Sequence, residues 1–140
     1  MRYLIYFCAC IAFALPAFAD PAATRALNDL RAKQGKAAVM YSPALERAAQ
    51  AHANDMARRG FFSHEGSDGA AVSDRVSAQG YKWCFVAENI AKGQRDLNQV
   101  MRGWTASKGH YKNMVHSSVR AFGLARGKGN IWVMVLASPC

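Results

Sequence analysis

The sequence predicts an α+β fold in which about four helices pack in layers on an antiparallel sheet of about three strands. Three observations predict it. Apolar residues recur at helical spacing through residues 22–34 and again between Pro43 and Arg59. Trp83 to Ala91 is rich in aromatic and β-branched residues, as strands are. Near the end, Ala121–Arg126 and Asn130–Ala137 flank Gly127-Lys128-Gly129, a turn signal for a β-hairpin.

The first helix carries Ala23, Leu27 and Leu30 on one face and stops at Gly35. The second begins at Ser42-Pro43, a capping hydroxyl followed by proline at the first helical position. Leu45, Ala48, Ala49, His52 and Met56 then line one face until Gly60, which follows Arg58-Arg59. A shorter helix is expected from Gly69 to Gln79, with Val72 and Val76 one turn apart and Gly80 behind it. Asp96 can cap a fourth, which turns Leu97, Val100 and Trp104 inward until Gly109.

Residues 1–19 read as a secretory signal peptide: Arg2, an unbroken apolar run from Leu4 to Leu15, a helix-breaking Pro16, and small residues in Ala17-Phe18-Ala19 before the expected cut. The alternative is an uncleaved anchor, but the run falls short of the roughly 20 residues that a spanning helix needs. Cys8 lies inside the run, which argues against a lipoprotein signal. A secreted or periplasmic domain over residues 20–140 is therefore expected, with no transmembrane anchor once the signal is removed. Its length suits one domain with a sizeable core, and a monomer is expected.

Without Arg2 the domain holds 17 Lys and Arg against 9 Asp and Glu, a formal charge of +8. That balance favours anionic partners such as envelope polymers, lipid headgroups or acidic glycans. The basic residues are scattered, however, with no run longer than Arg58-Arg59, and a solvated basic surface explains them equally simply. With neither a basic stripe nor a nucleic-acid motif, no nucleic-acid partner is expected. The domain keeps two cysteines, Cys84 and Cys140, which an oxidising compartment would join. Two free thiols or a redox pair are the alternatives, and no Cys-x-x-Cys spacing supports the latter.

If Trp83–Ala91 is a strand, Cys84, Val86, Glu88 and Ile90 share one face. A carboxylate among apolar neighbours is costly unless something hydrogen-bonds or neutralises it. Imidazole is a natural partner. His64 follows Phe61-Phe62-Ser63 at a break between helices, and His110 follows Gly109 just beyond the fourth helix. His64, Glu88 and His110 could form one cluster; on spacing alone they could equally be three scattered residues. His52 lies on an apolar helix face and reads as a packed core histidine. His116 reads as exposed, while Trp83, Trp104 and Trp132 read as core. Tyr111 could line a cleft, and Asn113 could hold the His110 loop.

The segments Phe61-Phe62-Ser63-His64, Ala87-Glu88-Asn89-Ile90-Ala91 and Trp104-Thr105-Ala106-Ser107-Lys108-Gly109-His110-Tyr111-Lys112-Asn113-Met114 occur in that order. Together they resemble the motifs of the CAP superfamily, which unites cysteine-rich secretory proteins, antigen 5 and plant pathogenesis-related proteins. Leu27-Asn28-Asp29-Leu30-Arg31, the run from Leu45 to Ala57, Arg75 with Gly80-Tyr81, and Gly123-Leu124 add to the likeness, which spans roughly residues 24–137. The resemblance implies a three-layer α-β-α sandwich and a cleft where two histidines and two glutamates meet. His64, Glu88 and His110 match three of these four. The second glutamate, three residues after the helix tryptophan, is replaced by Ser107, which puts any two-glutamate mechanism in doubt.

Two chemical readings of the triad stay open. In one, His64 and His110 hold a divalent ion, most plausibly Zn2+, while Glu88 orients an imidazole or receives a proton from bound water. In the other, the three form a buried network that only fixes the cleft. The leading expectation is a secreted binding or structural module that meets a lipid, an envelope polymer or another protein. The alternative is a metal-dependent hydrolase with His64, Glu88 and His110 as its catalytic residues. No serine is marked as an activated nucleophile. A spore- or wall-associated protein that only needs to be stable is a third reading.

Overall fold

A computed structural model describes residues 20–140, so the expected signal peptide over residues 1–19 lies outside the described residues. Its elements are α1 (Pro21–Lys33), β1 (Met40–Tyr41), α2 (Pro43–Arg59), α3 (Val72–Ala78), β2 (Trp83–Lys92), α4 (Leu97–Ala106), α5 (Lys108–Met114), β3 (Ala121–Gly127) and β4 (Ile131–Pro139). Caps explain several boundaries. The Asp20 carboxylate accepts from the amides of Ala22 (3.0 Å) and Ala23 (3.1 Å) at the start of α1. Ser42 Oγ accepts from Leu45 N ahead of α2, and Gly60 closes that helix in the left-handed conformation at φ 73°.

The sheet runs in the order β1-β3-β4-β2. β4 pairs antiparallel with both β2 and β3, as a hairpin and a returning strand require. β1 pairs parallel with β3, Met40 opposite Ala121 and Tyr41 opposite Phe122, so the sheet is mixed and has four strands. The sequence could not announce β1. Two residues are too few for any periodicity, and only Arg120 and Phe122, whose carbonyls accept from Met40 N (3.0 Å) and Ser42 N (2.8 Å), make them a strand. The expected fourth helix is also two: Ser107 leaves the helical conformation (φ −93°, ψ 117°), so α4 ends at Ala106 and α5 restarts at Lys108.

Helices cover both faces of the sheet, as the three-layer expectation requires. Leu27, Val100, Trp104, Met114, Phe122, Met134 and Leu136 form the core between the sheet and α1, α4 and α5. Leu45, Ala49, Met56, Val76, Val133 and Val135 form the other, beneath α2 and α3. Alternate β4 residues feed the two cores, the period-two pattern of a strand buried on both sides. α2 lies against β3 so closely that a methyl group on Gly123 would overlap the Leu45–Glu46 backbone.

At its start β2 shifts register, with Trp83 opposite Pro139 and Phe85 opposite Ser138, so Cys84 is the bulged residue. The bulge takes Cys84 out of the alternation expected for it. It brings Cys84 to Cys140, and the two are joined in a disulfide across 56 positions of sequence.

Candidate functional site

Beyond the bulge the expected alternation holds. Val86 and Ile90 face the core under α2 and α3, and Glu88 lies between them in sequence with its side chain only 2% exposed. Arg75 of α3 donates from Nη2 to Glu88 Oε2 at 2.7 Å, and His64 places Nδ1 2.8 Å from Glu88 Oε1. An oxygen pair facing a guanidinium acts as an acceptor, so His64 donates from Nδ1, and in the neutral ring the lone pair is on Nε2. Arg75 also donates from Nη1 to the carbonyls of His64 (3.0 Å) and Ala70 (2.7 Å). One guanidinium thus fixes the carboxylate and the backbone of the histidine bound to it. The His64 side chain stays 58% exposed.

His52 of α2 is fully buried behind this pair. Its Nε2 donates to the Ser63 carbonyl at 2.8 Å and stands 4.0 Å from Glu88 Oε1, while Nδ1 has no partner. Burial holds its pKa below the ordinary value, more strongly than Glu88 raises it. The ring is therefore neutral, and its approach to Glu88 is not an ion pair. The core reading of His52 stands, yet the residue also backs the segment that presents His64.

His110 lies inside α5 rather than just beyond a helix. Asn89 Nδ2 donates to its carbonyl at 3.0 Å, Asn113 Nδ2 donates to Asn89 Oδ1 at 2.9 Å, and Trp104 Nε1 donates to the Ile90 carbonyl at 3.2 Å. These bonds clip α4 and α5 to the edge of β2. Asn113 plays the structural part expected of it, and Asn89 joins it. His110 makes no hydrogen bond to Glu88 or His64. Its pKa is pushed down, chiefly by burial. Phe62, Ile90, Lys92, Trp104, Ser107 and His110 are among the residues lining a groove of about 310 Å³ there. Tyr111 does not line it.

The structure thus joins His64 directly to Glu88, while His110 lines the groove, whose lining includes neither His64 nor Glu88. Sequence reasoning misses Arg75 as the neutralising partner, since the chain shows it only among the residues of the likeness. The available signal was its place next to Val76 on the face of α3 turned to the sheet. His116, expected to be exposed, is half-buried and stacked on Phe85 at 4.3 Å between ring centroids. Trp104 and Trp132 are core, as expected, whereas Trp83 is half-buried and donates its indole N–H to Ser77 Oγ at 3.0 Å. Among the described residues, no three or more His, Cys, Asp and Glu side chains form a group able to hold a metal ion.

Helices on both faces of a mixed sheet, with a buried glutamate held by a histidine and an arginine, define the class: an α-β-α sandwich carrying a histidine–glutamate pair. The chain belongs to the CAP, or cysteine-rich secretory protein, family, whose model matches residues 24–136. It is similar to the Bacillus subtilis protein YkwD, 30% identical over 106 residues that are 75% of this chain and 41% of that one. It is also similar to the Bacillus subtilis membrane protein YlbC, 28% identical over 69% of this chain and 28% of the relative. The chain thus spans well under half the length of these relatives. The fold is shared with an extracellular SCP-domain protein of Bacillus anthracis (TM-score 0.79, 21% identity, covering 83% of this chain and 39% of that one). An outer surface protein of Borrelia burgdorferi shares it too (TM-score 0.77, 21% identity, 84% and 90% covered).

Proposed function

We propose that the protein is an exported binding module whose cleft takes a divalent ion, Zn2+ by the softness of its ligands, on His64 and His110. The observation that carries this reading is the double engagement of Glu88. With Oε1 on His64 and Oε2 on Arg75, the carboxylate sets the imidazole's tautomer and turns Nε2 outward, the arrangement in which outer carboxylates support metal-binding histidines. His110, held neutral by its surroundings, is the second donor. Two protein ligands make an open and weak site. The bound ion would supply a positive centre and free coordination positions for an anionic or carbonyl group.

The alternative, a metal-dependent hydrolase, asks Glu88 to take a proton from water. Both oxygens of that carboxylate already accept from Arg75 and His64, which favours binding over turnover. Ligands that suit the cleft are lipid, envelope polymer or protein groups, and the similarity to extracellular and outer-surface proteins supports export.

Zinc titration against a chromophoric chelator tests the reading. The oxidised protein is expected to bind one ion per chain, and His64→Ala/His110→Ala to lose it. Identical isotherms would remove metal from the account and leave an architectural triad.

A further inference from the structure

Basic residues that lie far apart in the sequence meet at one pole of this fold. A methyl group on Gly127 would press against the Ala53 backbone, so the last turns of α2 lie beside the β3–β4 turn. There Arg58 and Lys128 line one surface depression. On the turn's other side, Lys92 pairs in register with Ile131, Gly93 N donates to the Asn130 carbonyl at 2.9 Å, and Trp132 Nε1 donates to the Gln94 carbonyl at 2.8 Å. These contacts bring Lys92 and Arg95 to the same end. Arg126 lies over the Trp132 ring, 4.9 Å from its centroid.

All five cations are exposed. Among the described residues, the ion pairs found all converge on Glu88, so none involves these five. The carboxylates nearest them in sequence hold other hydrogen-bond partners, although Asp55 also lies near enough to Arg58 for their charges to interact. Asp96 caps α4 through Gln99 N, and Asp55 accepts from Ser67 N and Oγ. Phe62, just past α2, is 47% exposed and lines the groove together with Lys92.

We propose that this pole docks on an anionic lipid bilayer, with the five cations facing the headgroups and Phe62 entering the interface. A linear polyanion needs cations laid along a track, whereas these gather at one end of the sandwich. An exposed aromatic among cations is the combination that interfacial anchoring uses. The proposal rests on the reading of an exported binding module but uses none of His64, Glu88 and His110.

Vesicle sedimentation of the purified, oxidised protein tests it, with phosphatidylcholine vesicles compared with vesicles that also contain phosphatidylglycerol. Binding is expected only to the latter. Each cation adds roughly fivefold, so Arg58→Gln/Arg95→Gln/Lys128→Gln is expected to lose on the order of a hundredfold. Arg25→Gln/Lys33→Gln/Arg102→Gln removes the same charge from exposed positions of α1 and α4 and is expected to bind nearly as the parent does. Phe62→Ser is expected to weaken the binding that survives high salt, where charge is screened.

Equal losses in the two triple variants, or equal binding to neutral vesicles, overturn the proposal. So does tight binding of a soluble sulfated glycan that displaces the vesicles while Phe62→Ser binds like the parent. The two readings fail separately, because Arg58→Gln/Arg95→Gln/Lys128→Gln, whose positions do not line the groove, leaves the zinc titration unchanged and the double histidine variant leaves vesicle binding unchanged.

Discussion

At Glu88 a negative charge sits where water barely reaches it, and what keeps it there is Arg75, itself 10% exposed in its side chain. Removing one partner of such a pair strands the other, which costs about 3 kcal/mol or more. Glu88→Gln is therefore expected to destabilise the fold by about 3 kcal/mol, read as a lower urea midpoint at unchanged slope. A loss near zero would mean that water already solvates the pair. His52 sets a different condition. Burial lowers its pKa from 6.5, so the folded protein holds the ring neutral while the unfolded chain would protonate it. Its contribution is complete above pH 6.5 and is lost as the pH falls through and below that value toward the folded-state pKa. Unfolding measured between pH 7.5 and 5 is expected to show stability falling on acidification, less steeply in His52→Gln. An identical slope in the variant would assign the acid sensitivity to other groups.

At the scale of elements, the seam between α2 and β3 decides where the site's components stand. α2 carries His52 and leads into His64, while β3 anchors the central strand β4, on which β2 and its Glu88 are registered. The helix can lie this close only because Gly123 and Gly127 present no side chain to it. Gly123→Ala is expected to force the two apart and cost about 3 kcal/mol, measurable as a lowered thermal midpoint. Gly103, in the interior of α4, has open space where a methyl group would go. Gly103→Ala is expected to stabilise the protein by about 0.5–1 kcal/mol through the unfolded chain's lost freedom. The two substitutions are chemically identical, so opposite signs would isolate the helix–sheet contact as the cause. The split between α4 and α5 matters as well, since it lets α5 turn back and hang His110 and Asn113 on the edge of β2.

Across the whole molecule, the disulfide ties the C-terminal residue to the bulge that opens β2. Closing a loop of 56 positions stabilises the fold by about 4 kcal/mol on chain-entropy grounds. Cys84→Ser/Cys140→Ser is expected to lower the guanidinium midpoint accordingly, and the wild type under reductant should follow it. Arg31 supplies a second long-range tie. Fully buried, it donates to the carbonyls of Ala37 (2.8 Å), Met114 (2.8 Å) and His116 (3.1 Å), fastening α1 to the segment after α5. Its type and place were quoted in the sequence only as part of a likeness, because nothing local shows that an arginine will serve backbone carbonyls more than eighty residues away.

By itself the sequence determined what short-range physics determines. Capping residues and glycine stops marked α1 and α2, alternation marked β2, the hairpin turn marked β3 and β4, and the paired cysteines marked the crosslink. The order of its motifs also pointed to His64, Glu88 and His110. Tertiary structure alone decided the rest: the two-residue β1, which exists only through its pairing with β3; the break at Ser107; and the choice of Arg75 over His110 as the second partner of Glu88. It also gathered scattered cations at one pole. The reason is common to all four. Each depends on which chain segments come within a few ångströms of one another, and no local pattern of residues encodes that distance.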